Sequence, residues 1–330
     1  MNQINRRFTV APMMEWSDRH CRYLWRLISR HAVLYTEMVT TGALIHGDQE
    51  RFLNYHEAEH PVALQLGGSD PVDLARCSQL AQQWGYDEVN LNCGCPSDRV
   101  QNGMIGAILM TEPQRVADCI KAMQDAVDIE VTVKHRIGVD DMEDYSGMAN
   151  FVETIANTGC KTFVVHARKA WLKGLSPKEN REVPPLKYDM VHQLKREFPE
   201  LDIVLNGGLK TLDQCLEHLP ALDGVMVGRE AYSNPYLLAE VDGRFYNDEH
   251  PIASREEIAA QYIQYCDEQI QQGQLLKYMS KHVLGLFQGL PGARRFRRHI
   301  SENAHKAGAG ISVLEDAVAL VGCNRTAKAD

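Results

Sequence analysis

The stretch DIVLNGG, Asp202–Gly208, carries an unbroken apolar run, Ile203-Val204-Leu205, that ends in an asparagine and two glycines. A short β-prone run without alternation reads as a strand buried on both faces, and Asn-Gly-Gly ends it in a turn. A strand covered on both sides belongs to a sheet flanked by helices. The pattern returns in GVMVG (224–228), TFVVHA (162–167), EVTVKH (130–135) and EVNLN (88–92), and again in VALQL (62–66), VLYTEM (33–38) and FTVAP (8–12). Helical periodicity fills the intervals. DPVDLARCSQLAQQWG (70–85) has Asp70 as its N-cap, and TEPQRVADCIKAMQDAV (111–127) starts at Thr111 and Pro113. Eight strands alternating with helices predict an α/β fold of the parallel (β/α)8 barrel type. A doubly wound open sheet is the competing arrangement, but it usually stops at about five to seven strands.

In a barrel the working residues stand at the C-terminal ends of the strands. Those ends hold Pro12, Met13 and Met14, then Gln65, Asn92, Lys134 and His166. The last two strands end in Asn206-Gly207-Gly208 and Gly228-Arg229. Each alone has an ordinary explanation: a surface lysine, a core histidine, amides that satisfy loose backbone groups, tight glycine turns. Their recurrence in register favours one site. Glycines after the seventh and eighth strands let backbone N–H groups approach a phosphate, and Arg229 adds a charged donor. No G-x-G-x-x-G follows the first strand, which disfavours a Rossmann-bound dinucleotide. A phosphate grip, a lysine and several amides fit a phosphorylated planar cofactor such as FMN, with Lys134 near its pyrimidine end.

LNCGCPSD, Leu91–Asp98, sets Cys93 and Cys95 one residue apart. A structural zinc site needs two separated pairs of ligands, and no second pair stands at usable distance, so no metal is expected. A disulfide between the two would close a strained small ring. Gly94 and Pro96 instead shape a turn that carries Cys95 over the cofactor while Cys93 returns to packing. An ordinary thiol, with a pKa of about 8.5, is protonated at neutral pH and can act as a general acid. A nucleophile is the other role, and it needs a nearby base.

The chain has 330 residues, a net charge of −9 and nine cysteines. It shows neither a signal-like h-region nor a run of about eighteen apolar residues. The odd, scattered cysteines fit a reducing cytosol, and no membrane or obligatory protein partner is expected. After residue 245 the strand pattern gives way to helical segments near 254–272, 275–288, 291–304 and 311–322, with Ser254 and Glu257 as a capping box. This divides the chain into a barrel, 1–245, and a small helical domain, 246–330. GARRFRRHI puts Arg294, Arg295, Arg297 and Arg298 on one short helical stretch with no acid before Glu302. That local reversal of charge favours a phosphate-facing patch over a solvated face. Lys169, Lys173, Lys178 and Arg181 in the sixth loop extend it.

At APMM, LQLGG, NLNCGCPSDRV, VTVKHRIG, VVHAR, LNGGL and VMVGREA the chain resembles the tRNA-dihydrouridine synthases. HARKAWLKGLSPKENRE (166–182) and GLPGARRFRRHISENAHKAG are similar to subfamily A, and the resemblance covers about residues 6–322. It implies an FMN-binding barrel followed by a tRNA-binding helical domain, so that the arginine patch would bind tRNA. The FMN contacts would be Pro12, Met13, Met14, Gln65, Lys134 and His166, together with Asn206, Gly207, Gly208, Gly228 and Arg229. Asn92 would lie beside flavin and uracil, Cys95 would be the proton donor, and Lys178 and Arg181 would touch tRNA. The implied reaction is reduction of uridines 20 and 20a of the D-loop to 5,6-dihydrouridine. NADPH would reduce FMN, flavin N5 would pass hydride to uracil C6, and Cys95 would protonate C5. Ile105 and Ile108 depart from the family, whose members more often show an aromatic and a cysteine there. Two other readings compete: a flavin barrel acting on free pyrimidines, and an RNA-binding module without turnover.

Overall fold

The computed structural model of the chain describes residues 4–97, 103–142 and 144–321. Asp98, Arg99 and Val100 of the cysteine motif, Cys323 and the tail from residue 322 lie outside the described residues. Eight parallel strands close into a barrel in sequence order. They are β1 (Phe8–Val10), β2 (Val33–Thr40), β3 (Val62–Gly67), β4 (Glu88–Cys93), β5 (Glu130–Arg136), β6 (Thr162–His166), β7 (Asp202–Asn206) and β8 (Gly224–Val227). The near-continuous apolar runs have the expected cause, since both faces of these strands are covered. Leu64, Leu91, Val133, Phe163 and Leu205 pack outward with the helix residues Leu74, Ile120, Phe151 and Leu194. Tyr35, Ala63, Val164, Val204 and Met226 form a separate cluster inside the bore.

The strand period of two puts a second set of residues on that inner face. Glu88, Asn90 and Asn92 share it along β4, and Glu130, Thr132, Lys134 and Arg136 along β5. At the N-terminal end of the bore Arg6 donates to Glu88 Oε2 at 2.7 Å and to Glu130 Oε2 at 2.6 Å, and Tyr35 OH donates to Glu88 Oε1 at 2.8 Å. Arg6, Glu88 and Tyr35 are buried and paired, as burial requires, while Glu130 is partly exposed.

Asp70 caps the helix Pro71–Gln83 through the N–H groups of Val72 and Asp73. The next helix, Pro113–Ala126, takes Glu112 as its N-cap rather than starting at Thr111. The Thr111 hydroxyl is spent on the Ile108 carbonyl, which closes a preceding 3₁₀ turn.

The chain forms two compact units: Met1–Glu15 with Val33–Gly228, and Trp16–Ala32 with Arg229–Asp330. The division thus falls at Gly228 rather than at 245, and the segment after β1 joins the C-terminal helices. Side-chain bonds within the second unit explain this. Trp25 Nε1 donates to the Ala231 carbonyl at 2.8 Å, and Asp242 accepts from Ser29 Oγ at 2.6 Å and Arg30 N at 2.7 Å. Asp18 caps the helix Arg19–Ile28 and meets His282 Nε2 at 2.9 Å. Ser254 and Glu257 form the expected capping box on Arg255–Gln271. The expected helix 275–288 is broken into Leu276–Ser280 and a 3₁₀ turn, Val283–Gly285. Gly285 lies so close to the Ser233 carbonyl that a Cβ would come within 2.4 Å of its oxygen. Ala293–Asn303 and Ser312–Ala319 complete the unit. Among the described residues no helix is long and apolar enough to cross a membrane.

Candidate active site at the barrel mouth

The bore carries a continuous chain of side-chain hydrogen bonds toward the C-terminal end of the strands. Thr132 Oγ1 donates to Glu88, and Asn90 Nδ2 donates to Thr132 Oγ1 at 2.8 Å. Gln65 Nε2 donates to Asn90 Oδ1 at 2.8 Å, and Asn92 Nδ2 donates to Gln65 Oε1 at 2.8 Å. Asn92 Oδ1 then accepts from the backbone N–H groups of Gly94 at 3.0 Å and Cys95 at 2.9 Å. The amide orientations of Gln65, Asn90 and Asn92 are therefore fixed from the Glu88 end, and the loop bearing Cys95 hangs from the last of them.

Register sets the other groups beside this chain. Asn92 is level with Lys134, Arg136 with His166, and His166 with Asn206. Lys134 Nζ reaches past β6 to donate to Asn206 Oδ1 at 3.1 Å, and Asn206 Nδ2 donates to the Met226 carbonyl at 2.8 Å. Burial, then the neighbouring Arg136 cation, push the Lys134 ammonium down to about 7. Burial, followed by the Arg136 and Lys134 cations, holds His166 well below the usual imidazole range, so its ring is neutral. A negative charge on Cys95 is felt by both cations, since it favours the protonated forms of Lys134 and Arg136.

Arg136 was not among the residues expected at the site. It is 2% exposed, and burial lowers its guanidinium to about 10. Its Nε donates to the Gly94 carbonyl at 2.8 Å, and its Nη1 donates to the carbonyls of Lys169 at 3.1 Å and Asn180 at 3.0 Å. It thereby ties the Cys95 loop to the loop after β6. The signal was present in VKHR, where Arg136 follows Lys134 by two and shares its face. Asn90, Thr132 and Glu88 carry the same period-two signal but lie deeper in the bore, away from the strand ends.

Of the eight described cysteines seven are buried and Cys95 is partly exposed. Cys93 packs in the outer core, and burial raises its thiol well above the ordinary range. Among the described residues no three His, Cys, Asp or Glu side chains are grouped to hold a metal.

The dihydrouridine synthase family model matches residues 9–321. A tRNA-dihydrouridine(20/20a) synthase of Yersinia pestis is 59% identical over 316 residues, covering 96% of this chain and 91% of the relative. The Pseudomonas putida enzyme of the same name is 58% identical over 317 residues, covering 96% and 94%. The chain belongs to the dihydrouridine synthase family. Two solved structures share its fold at 12% identity. Morphinone reductase in complex with tetrahydroNAD has a TM-score of 0.52 over 71% of this chain and 85% of its own. TcOYE with pHBA has a TM-score of 0.54 over 72% and 89%.

The mouth of this dihydrouridine synthase barrel suits a phosphorylated planar ligand. Gly207 (φ 116°) and Gly208 (φ 74°) end β7 in the left-handed region. A Cβ on Gly207 would lie 2.7 Å from His166 Cδ2, so the backbone approaches the ring as only glycine allows. Beside Gly228 the nearest atoms to an added Cβ are Ala11 Cβ at 3.6 Å and Met13 Sδ at 3.8 Å, which leaves room. Lys134 uses one ammonium hydrogen on Asn206, and Gln65 keeps one N–H and one lone pair beyond its two amide partners. Pro12 and Met13 are half-buried after β1, and Met14 is 59% exposed. Arg229 is exposed and opens the helix Arg229–Ser233 of the second unit.

Lys178 and Arg181 are exposed on a 3₁₀ turn in the loop after β6. In the second unit the four arginines of the helix Ala293–Asn303 divide into two pairs. Arg295 Nη2 donates to the Leu320 carbonyl at 3.2 Å and Arg298 Nε to Glu302 Oε1 at 2.7 Å. Arg294 and Arg297 line a cavity instead. Ile105 caps the 3₁₀ turn Gly106–Thr111, and its Cγ2 lies 3.0 Å from where a Cβ on Gly67 would stand.

Proposed function

We propose that this chain reduces uridines 20 and 20a in the D-loop of tRNA to 5,6-dihydrouridine, with FMN as cofactor and NADPH as reductant. Family membership supports the reaction class, and the names of the relatives support the two positions. The observation that carries the reading is Cys95, the partly exposed thiol hung from Asn92 at the end of β4. FMN would be held by Pro12, Met13, Met14, Gln65, Lys134, His166, Asn206, Gly207, Gly208 and Gly228, with Arg229 at its phosphate. When bound, it supplies a hydride equivalent to uracil C6 and is itself recharged by NADPH.

This chain's residues do the rest. Hydride addition at C6 pushes electron density to C5 and the O4 carbonyl. The Cys95 Sγ–H bond breaks to protonate C5, and the thiolate left behind recovers a proton from solvent. Arg136 and Lys134 favour that transient negative charge by position. Asn92 presents its amide beside the reacting base while fixing the loop. Neutral His166 offers a hydrogen bond without adding charge. The uridine leaves its stack to reach the mouth, at low cost in a flexible D-loop. Lys178 and Arg181 of the first unit, and the arginines of the second, contact tRNA phosphates. The first unit thus carries the chemistry and every cofactor contact but Arg229, and the helical unit serves tRNA. A cytoplasmic location is supported by the tRNA substrate and by cysteines that are all free among those described.

The test is nucleoside mass spectrometry of unmodified tRNA incubated with the flavin-loaded protein and NADPH, beside Cys95→Ala. Dihydrouridine at positions 20 and 20a with the parent, and a strong loss with the variant despite retained flavin and tRNA binding, is expected. No product from the parent on tRNA, with turnover of free pyrimidines, would overturn the reading.

A further inference from the structure

A wide cavity of about 850 Å³ lies within the second unit. Trp16 and Tyr232 form one wall, stacked on each other with centroids 4.5 Å apart and ring planes 8° from parallel. Lys281, Arg294 and Arg297 supply three cations, and among the described residues no aspartate or glutamate lines the space. In a chain of net charge −9 that is a marked local reversal. Asp18 offsets part of it by meeting Lys281 Nζ at 3.4 Å. Arg294 and Arg297 have no carboxylate partner among the described residues, whereas Arg298 on the same helix is paired with Glu302. Gln288, exposed at the rim, adds an amide able to meet a base edge.

An aromatic platform beside unpaired guanidinium groups suits a ligand with a flat heteroaromatic ring and an attached phosphate. The volume falls in the range of small-molecule sites, ample for one nucleotide. We propose that this cavity is a second nucleotide subsite, separate from the one that takes the target uridine. It receives an unpaired nucleotide of the same tRNA, with the base against Trp16 and Tyr232 and the phosphate on Arg294 and Arg297. The inference rests on the proposed action on tRNA. It adds a stacking contact, which phosphate binding along a helical face would not need. The cavity then contributes to holding the tRNA and takes no part in proton or hydride transfer.

The experiment measures equilibrium binding of unmodified tRNA to the flavin-loaded protein over a range of salt concentrations. Trp16→Leu, Trp16→Phe, Arg294→Ala with Arg297→Ala, and Lys121→Ala as a remote charge control are compared with the parent. Single-turnover dihydrouridine formation at saturating tRNA is followed in parallel. Trp16→Leu is expected to weaken binding about tenfold with the salt slope unchanged, because stacking is not ionic. Trp16→Phe, which keeps a ring, recovers most of that loss. The double arginine variant weakens binding and lowers the salt slope by about one, since both guanidinium groups meet the same phosphate. Lys121→Ala changes neither, and its single-turnover rate on bound tRNA equals the parent's. Parent-like affinity for Trp16→Leu overturns the subsite, even if the arginine variant binds weakly, since that pattern describes a phosphate patch alone. Loss of affinity in both variant classes, with a parent that binds tRNA but makes no dihydrouridine, keeps the subsite and sinks the assigned reaction instead.

Discussion

Replacing Asn92 with alanine removes three hydrogen bonds: the acceptor for Gly94 N–H at 3.0 Å, the acceptor for Cys95 N–H at 2.9 Å, and the donor to Gln65 Oε1 at 2.8 Å. Gln65 is 1% exposed, so no water readily replaces the missing donor, and an unsatisfied buried acceptor costs about 1–3 kcal/mol. The two loop N–H groups are half-buried, and each bond contributes about 1 kcal/mol net. The loop's share, about 2 kcal/mol, corresponds to about thirtyfold in its opening equilibrium at tenfold per 1.4 kcal/mol. Alkylation of Cys95 by iodoacetamide, followed by peptide mass, reads this out, because the other described cysteines are buried. Asn92→Ala is expected to raise the rate by up to about thirtyfold and to lower the denaturation midpoint. Asn92→Asp, which keeps an acceptor for both loop N–H groups, raises it less. An alkylation rate equal to the parent's would refute the claim that Asn92 suspends the loop.

Two other outcomes follow from the bore. Arg6→Ala strands the Glu88 carboxyl, fully buried, without its cation and is expected to cost about 3–5 kcal/mol in urea unfolding; a loss near zero would mean the pair contributes nothing to the fold. Lys134, lowered to about 7 by burial and then by Arg136, binds its proton less tightly in the folded than in the unfolded state. That penalty is fully present below about pH 7 and fades toward the ordinary lysine value of about 10.4. Lys134→Met in the flavin-free protein should therefore gain stability over the parent near neutral pH and lose the gain in alkali. A pH-independent difference would refute it.

The residues at the strand ends were legible because barrel topology and the period of two are local, repetitive signals. Gln65, Asn92, Lys134, His166 and Asn206 each follow an apolar residue, and each stands within two residues of the end of its strand in the folded protein. Arg136 was overlooked because its three partners are backbone carbonyls, one in the Cys95 loop and two in the loop after β6, which leave no mark on residue type. The four arginines of GARRFRRHI looked equivalent in one dimension. Folding gave Arg295 a carbonyl and Arg298 a carboxyl group while turning Arg294 and Arg297 toward a cavity.

What the chain's order of residues determined by itself was the barrel, the turn holding Cys95, the capped helices and the family, since each depends on spacing within a few dozen residues. Only tertiary structure decided where the units divide, because Asp18, Trp25 and Ser29 find their partners more than two hundred residues later. The same holds for the bore's polar chain. Its links join β5, β4 and β3 side by side, so a pattern that looks like ordinary inward-facing polar residues becomes one connected support for Cys95 only when the sheet closes.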